Sequence, residues 1–275
     1  YWRLVTTFSK GYLVGNPSTD PGVPLITSAG APYEGAPRGT VEQVYEQIEG
    51  DINKSIAHFK NASAPKDKSN ISINAAYGIK ARIALSKGDW GTAASAAALA
   101  RDGYPIMGQS DWLSGFNSYD LSEVIWAGNV IETETNYYAS YFYYVAFAFN
   151  GSQNRSNPKI ISKELYDAIP DTDYRNQAWL PLAPNTNSAA SNGQGGSYVS
   201  DPNYDNEDDF WAEWSRIVST YGATGGHNTH PYMNVKFKQK NPGTIAPDDV
   251  IYMRSSEMVL IEAEARAMNN DITGA

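Results

Sequence analysis

Between residues 40 and 60, apolar side chains recur every three or four positions, with acidic side chains between them. This spacing places the apolar residues on one face of a helix. Thr40 and Gln43 have the spacing of a capping box, so the helix is predicted to begin directly after Thr40. The residues predicted to form the apolar face are Val41, Val44, Tyr45, Ile48, Ile52 and Ile56.

Residues 74–105 are predicted to form two short antiparallel helices joined by a tight turn. Gly88 can adopt the left-handed conformation that ends a helix, and Asp89 can cap the next helix. Alanines along both helices allow the two backbones to lie close together. The residues predicted to pack between the helices are Tyr77, Ala81, Ala84, Leu85, Trp90, Ala93, Ala97 and Ala100.

A second copy of this pattern lies at the end of the chain. Val259, Ala263, Asn270, Asp271, Ile272 and Ala275 have the same relative spacing as Tyr77, Ala81, Gly88, Asp89, Trp90 and Ala93. The spacing resembles that of a tetratricopeptide (TPR) repeat. Because a repeat helix buries its apolar face only against a partner helix, we expect the chain to be a fragment of a longer protein.

The residues between the two copies follow a different pattern. Segments 123–131 and 141–149 are rich in β-branched and aromatic residues, which favour strands, and residues 163–169 predict a short helix. Residues 185–206 form a long stretch without periodicity, which is typical of a functional or disordered loop. The predicted fold is therefore mainly α: a TPR-like helical frame with a large, loop-rich insertion that contains short strands.

Composition excludes several functional classes. The net charge is −9 and no cluster of Lys or Arg occurs, which argues against binding to nucleic acid. Cysteine is absent, so disulfides and thiolate chemistry are excluded. The chain contains 19 Tyr and 7 Trp, residues whose flat apolar rings and polar edges suit sugar ligands.

Aromatic residues within the predicted loop region are the candidate ligand contacts. A sugar ring can stack on such a side chain while neighbouring amides bind its hydroxyl groups. Trp90 and Trp126 are assigned to packing, in the repeat and in the strand respectively. The candidate ligand-binding residues are Trp179, Tyr198, Tyr204, Trp211, Trp214 and Asn192.

An alternating series of oxygen donors lies in the same region, a spacing that suits calcium. The donors are Asp201, Asn203, Asp205, Glu207 and Asp209. Asn206 occupies the position where a calcium loop has Gly, and Pro202 restricts its start. The alternative interpretation is a solvated acidic turn that caps a helix beginning at Phe210. No other cofactor is predicted.

Catalytic motifs are absent from the sequence: it contains no nucleophile elbow, phosphate-binding loop or dinucleotide fingerprint. Carboxylates in residues 201–213 leave a hydrolase as an open alternative. In the last helix, Arg254 with Glu257 and Glu262 with Arg266 have the spacing of helical ion pairs, so these groups are predicted to be structural.

Several segments, in order, resemble the SusD/RagB family of outer-membrane nutrient-binding lipoproteins. They are GVPLI at residues 22–26, PRGT at 37–40, VYEQIEGDI at 44–52, the hairpin at 74–105, SEVIWA at 122–127, DYR at 173–175, VKF at 235–237, and DVIYMR at 249–254 followed by SSEMVLIEAEARAMNND. The resemblance implies one SusD-like domain, incomplete at both ends. Residues 1–105 would be its helical part, 106–248 the ligand-binding insertion, and 249–275 half of a further repeat.

The resemblance also implies a function. Such proteins are lipoproteins of the cell outer membrane that hold glycans or other nutrients at the surface without catalysis. They deliver them to a TonB-dependent transporter of the SusC type, which would be the partner here. A TPR-type scaffold for protein partners and a glycoside hydrolase are the alternatives. The sequence does not identify the nutrient.

Overall fold

The computed structural model of the chain describes residues 1–30, 35–134, 140–147, 154, 157–186, 201–223, 228–241 and 247–275. Backbone contacts divide the chain into two compact units, each built from segments that are distant in sequence. Unit 1 consists of Tyr1–Ile106, Ser122–Trp126 and Tyr252–Ala275, and unit 2 consists of Met107–Leu121 and Ala127–Ile251.

Unit 1 is mainly helical, as predicted. Its elements are α1 (Trp2–Phe8), β1 (Pro21–Pro24), β2 (Arg38–Thr40), α2 (Val41–Phe59), α3 (Ile73–Lys87), α4 (Trp90–Arg101) and α9 (Ser255–Met268). β1 and β2 pair antiparallel, with Pro21 opposite Thr40 and Pro24 opposite Arg38. Among the described residues, every helix is too short or too polar to cross a bilayer.

The predicted start and apolar face of α2 are confirmed. The Thr40 hydroxyl accepts a hydrogen bond from the Gln43 backbone N–H at 3.2 Å, and the Gln43 side chain accepts one from the Thr40 N–H at 2.9 Å. The six apolar residues predicted for the inner face are all buried. This face packs against α1, β1 and α3, and its burial stabilises the part of the unit 1 core that these elements form.

The predicted helical hairpin is also confirmed. Gly88 ends α3 in the left-handed conformation, and the Asp89 carboxylate caps α4 by accepting a hydrogen bond from the Thr92 N–H at 3.1 Å. Tyr77 and Trp90 pack against the cluster that the two helices form with α9. The buried alanines of the hairpin that belong to this cluster are Ala75, Ala81, Ala84, Ala93, Ala96, Ala97 and Ala100.

The second copy of the pattern repeats this turn. Asn270 follows α9 in the left-handed conformation, like Gly88, and the Asp271 carboxylate accepts a hydrogen bond from the Gly274 N–H at 2.9 Å, as Asp89 does from Thr92. α9 packs against α3 and α4 through Met258, Ile261 and Ala265. Its other side leaves Val259, Leu260 and Met268 exposed.

The predicted ion pairs of the last helix are correct in one case and wrong in the other. Glu262 does pair with Arg266, at 2.7 Å. Arg254, however, pairs with Glu123, and Glu257 pairs with Arg82. The reason is that Arg254 has an extended backbone and precedes the first turn of α9, so its side chain does not share a helical face with Glu257.

Unit 2 has shorter elements and longer connections. They include α5 (Gln109–Trp112), α6 (Tyr141–Val145), α7 (Lys163–Asp167), α8 (Glu207–Thr220) and the 3-10 helices Glu132–Glu134 and Tyr174–Ala178. Its main core contains Phe147, Leu180, Ala183, Ile217, Val218, Ala223, Met233 and Val235. β3 (Val124–Gly128) and β4 (Val250–Arg254) form a second two-stranded sheet, which confirms the strand predicted over residues 123–131. Residues 124–126 of β3 and 252–254 of β4 belong to unit 1.

The strand predicted over residues 141–149 is wrong, because α6 occupies its first five positions. The Ser140 hydroxyl caps this helix by accepting a hydrogen bond from the Tyr143 N–H at 3.1 Å. Phe142 and Ala146, four residues apart, are both buried against Phe237. That contact uses helical spacing instead of the alternation of a strand. α7 confirms the short helix predicted over residues 163–169.

Candidate ligand-binding surface

The surface that contains three of the six predicted ligand contacts lies around the start of α8. Asn206 is the N-cap of this helix, and its side-chain oxygen accepts a hydrogen bond from the Asp209 N–H at 2.9 Å. Three carboxylates follow in the first turn, where the positive end of the helix dipole favours them. The helix therefore begins three residues before Phe210, because Asn206 supplies the cap.

Helical periodicity divides the aromatic residues of α8 between the core and the surface. Phe210 is completely buried, and the half-buried Trp214 packs against the unit 2 core one turn later. Trp211 follows Phe210 by one position and so lies on the flank of the helix, where 39% of it is exposed. The helix thus presents part of one Trp ring to solvent beside a packed aromatic core.

These rings form a continuous series with Tyr204, which we call the α8 aromatic cluster: Tyr204, Phe210, Trp211 and Trp214. Successive ring centroids lie 5.4, 4.9 and 5.8 Å apart, each pair edge to face. Edge-to-face packing fixes the orientation of each ring. The Trp211 indole N–H also donates a hydrogen bond to Glu207 at 3.2 Å, so the exposed ring is held in a defined position.

Polar groups surround the cluster. Both oxygens of Glu213 accept hydrogen bonds from Arg216, at 2.7 Å each. Burial raises the pKa of Tyr204 to about 12, and the carboxylates of Glu213 and Asp201 add to this shift. The phenol is therefore neutral at physiological pH, and it makes no hydrogen bond with any residue that the structure describes.

This arrangement suits a neutral, hydroxyl-rich ligand. The exposed Trp211 ring offers an apolar face to the C–H groups of a pyranose, and the Tyr204 hydroxyl can donate or accept a hydrogen bond. Carboxylates predominate around the cluster, in the first turn of α8 and at Glu213. Hydroxyl groups can donate to these carboxylates, whereas an anionic ligand is repelled.

The structure brings together three of the six predicted ligand contacts, Tyr204, Trp211 and Trp214. Trp179 is half-buried, and its backbone forms an isolated bridge with Asn234. Tyr198 and Asn192 lie outside the described residues. Phe210, which links Tyr204 to Trp211, was not predicted, although its helical spacing from Trp214 and Ile217 marks it as a core residue.

The five oxygen donors proposed for calcium are not brought together as a cation site. Asp201 is buried, and its carboxylate accepts hydrogen bonds from the backbone N–H groups of Asn185, at 2.8 Å, and Asn203, at 3.0 Å. Asp209 accepts from the Asn206 side chain at 2.7 Å. Among the described residues, no group of three or more acidic or histidine side chains is arranged to hold a metal ion.

Comparison with known proteins gives a match at the level of sequence. Residues 1–85 match the profile of the SusD-like_3 family, which is described as starch-binding and associating with the outer membrane. None of the curated proteins compared with the chain matches it.

Solved structures match along most of the chain. A SusD-like carbohydrate binding protein from Bacteroides vulgatus is 21% identical, with a TM-score of 0.66 over 91% of this chain and 45% of that protein. A SusD superfamily protein from Bacteroides thetaiotaomicron is 18% identical, with a TM-score of 0.67 over 99% and 53%. A laminarin binding SusD-like protein is 18% identical, with a TM-score of 0.51 over 88% and 54%.

The chain therefore spans about half the length of these structures. At these identities the structural matches show a shared fold, which agrees with the helical frame and short strands described above. The sequence profile over residues 1–85 adds a match that does not depend on the fold. Together they confirm the predicted resemblance of the chain to the SusD-like family.

Proposed function

We propose that this protein binds neutral glycans at the outer-membrane surface through the α8 aromatic cluster. The observation that carries the proposal is the partly exposed Trp211 ring, fixed by Phe210 and Glu207. Tyr204 packs on the same Phe210 ring, and its hydroxyl makes no hydrogen bond with the residues that the structure describes. The descriptions of similar proteins as starch-, laminarin- or carbohydrate-binding support the same class of ligand.

The protein acts by binding and not by catalysis. A glycoside hydrolase needs one carboxylic acid that protonates the glycosidic oxygen and a second carboxylate across the sugar. Both oxygens of Glu213 are engaged by Arg216, whose pKa this pairing raises, and Glu207 accepts from the Trp211 indole. An aromatic surface of this kind holds a sugar and releases it unchanged.

Release of intact ligand fits delivery to a transporter. Following the family resemblance, we infer that the protein is tethered by an N-terminal lipid and passes its ligand to a SusC-like, TonB-dependent transporter. Co-purification of that transporter with the full-length protein from outer membranes tests this step separately from glycan binding.

Isothermal titration calorimetry with neutral oligosaccharides, including starch and laminarin fragments, tests the binding site. Trp211→Ala is expected to weaken binding about tenfold or more, as loss of a central aromatic contact usually does. Leu165→Ala is the matched control, because it removes another exposed apolar side chain of unit 2. No saccharide binding by the wild type, or equal binding by Trp211→Ala, would overturn the proposal.

A TPR-type scaffold for protein partners is the second candidate. It is favoured by the exposed apolar side chains of α9, Val259, Leu260 and Met268. Leu260→Ser separates the two functions: a scaffold would lose its protein partner in a pull-down, while glycan binding through α8 would be unchanged.

A further inference from the structure

Unit 1 contains a second aromatic feature, an open cavity of about 530 Å³. We call it the unit 1 cavity. Its volume lies within the range of roughly 300–1,000 Å³ found for small-ligand sites. Its aromatic and charged lining consists of Tyr1, Trp2, Arg3, Arg82, Trp126 and Tyr252.

Two of these aromatic rings come from neighbouring strands. Trp126 lies on β3 and Tyr252 on β4, and their rings are 4.9 Å apart, edge to face. Their sequence neighbours Ile125 and Met253 are buried in the unit 1 core. Because successive side chains of a strand point to opposite faces, Trp126 and Tyr252 lie on the other face of the sheet from Ile125 and Met253, although the half-buried Trp126 also contacts this core. Trp126 therefore lines a cavity in addition to the packing role assigned to it from the sequence.

Three of the polar lining groups are already satisfied. The Tyr1 hydroxyl donates to the Ile26 carbonyl at 2.6 Å and accepts from the Ile26 N–H at 2.7 Å. The Trp2 indole N–H donates to the Ser86 hydroxyl at 3.0 Å. Arg82 is neutralised by Glu257 through two hydrogen bonds of 2.6 Å. These groups form a fixed wall.

The other three polar groups have no such partner. The Trp126 indole N–H, the Tyr252 hydroxyl and the Arg3 guanidinium make no hydrogen bond or ion pair with any residue that the structure describes. Indole and guanidinium groups can only donate hydrogen bonds. A guanidinium, moreover, matches a carboxylate through two parallel hydrogen bonds. The ligand that best matches the unit 1 cavity therefore carries several hydrogen-bond acceptors and a negative charge.

We propose that the unit 1 cavity binds a uronic acid residue of an acidic glycan. The pyranose ring packs on the faces of Trp126 and Tyr252, its carboxylate pairs with Arg3, and its hydroxyl oxygens accept from the indole N–H and the phenol. The inference rests on the proposed function only in taking a saccharide as ligand. The site lies in unit 1, and its charge preference is opposite to that of the acidic α8 surface.

Calorimetry with matched ligands tests the inference. The probes are tri- to hexasaccharides of galacturonate, glucuronate and mannuronate, each beside a counterpart whose carboxyl groups have been reduced to primary alcohols. We expect at least one uronate series to bind about tenfold or more tightly than its reduced counterpart, because a charged hydrogen bond is lost on reduction. Arg3→Gln should remove this difference, and Tyr252→Ala should weaken both ligands.

Two further variants make the outcome specific. Arg175→Gln removes an exposed arginine from unit 2 and should leave uronate binding unchanged. Trp211→Ala should also leave it unchanged, although it is expected to weaken binding of neutral glycans about tenfold or more. Equal binding of acidic and reduced ligands, the absence of uronate binding, or loss of uronate binding in Trp211→Ala would each overturn the inference. Neutral glycan binding through Trp211 would survive the first two of these results.

Discussion

Gly88 directly follows α3 and Asn270 lies just beyond the end of α9, and both have left-handed φ angles, of 81° and 61°. In both cases the next residue is an Asp whose carboxylate accepts a hydrogen bond from the backbone N–H three positions later. The two repeats thus share one turn, although only the first has a residue without a β-carbon. Asn is the residue that best tolerates this conformation after Gly, because its short polar side chain bonds locally.

This relationship predicts opposite effects of two substitutions. Gly88→Ala is expected to lower the free energy of unfolding by about 1–2 kcal/mol through the left-handed strain, and its β-carbon would also lie 2.5 Å from Leu13 Cδ2. Asn270→Gly is expected to be neutral or slightly stabilising. Urea unfolding measures both, and a Gly88→Ala protein as stable as the wild type would contradict the argument.

Two glycines inside helices form a second matched pair. A β-carbon on Gly78 of α3 would collide with the sulfur of Met253, which is buried in the unit 1 core, whereas a β-carbon on Gly50 of α2 meets nothing within 4 Å. Gly78→Ala should destabilise the protein by about 1–3 kcal/mol through overpacking. Gly50→Ala should stabilise it by about 0.5–1 kcal/mol, because Ala is the better helix former. Equal shifts of the urea midpoint would contradict this packing.

Local signals explain why the helical frame was predictable from sequence. The α2 capping box and the Gly88 turn each involve residues within a few positions of one another. The aromatic run over residues 141–149 contains no polar positions, so its sequence does not show whether the buried side chains repeat every 2 residues, as in a strand, or every 3.6 residues, as in a helix. Only the contact with Phe237, distant in sequence, decides that Phe142 and Ala146 share a helical face.

The difference between contacts that are local in sequence and contacts between distant residues also explains which sites could be predicted. Trp211 and Trp214 were predicted because they are close together in a loop-rich sequence and remain together on one helix. The unit 1 cavity depends on the pairing of β3 with β4, which brings Trp126 beside Tyr252. The partner of Arg254 was likewise unpredictable, because Glu123 is far from it in sequence.

Asp248 is expected to make the stability of the protein pH-dependent. Its carboxyl is only 2% exposed, and burial raises its pKa from 3.8 to about 6. One oxygen accepts a hydrogen bond from the Lys240 N–H at 2.8 Å, while the other makes none with the residues described. The folded protein therefore holds a proton that the unfolded chain releases between pH 4 and 6.

The sign of this effect follows directly. The protonated carboxyl contributes stability below about pH 4, and this contribution is lost as the pH rises through about 6. Asp248→Asn keeps a neutral side chain, so it should be more stable than the wild type at pH 7, by up to about 3 kcal/mol, with little difference at pH 4. Urea unfolding from pH 4 to 7 measures the difference, and a constant difference across this range would contradict the assignment.

The last prediction concerns the ion pair between Glu123 and Arg254. The Glu123 side chain is 2% exposed, and Oε1 accepts hydrogen bonds from Arg254 at 3.0 Å and from the Ser256 N–H at 3.2 Å. Arg254→Met removes the arginine from this buried carboxylate, and breaking a buried ion pair in this way typically costs about 3–5 kcal/mol of stability. Lys163→Met is the control, because Lys163 and Asp167 are 63% and 52% exposed and such surface pairs contribute about 1 kcal/mol or less.

A double variant separates loss of the pair from burial of the charge. Glu123→Gln combined with Arg254→Met removes both charges, so it should be more stable than Arg254→Met alone, because the buried carboxylate is gone. Urea unfolding of the single and double variants gives the coupling energy between the two side chains. If the second substitution instead lowers stability further, Glu123 acts mainly through its hydrogen bond to the Ser256 N–H, which fixes the first turn of α9 independently of the arginine.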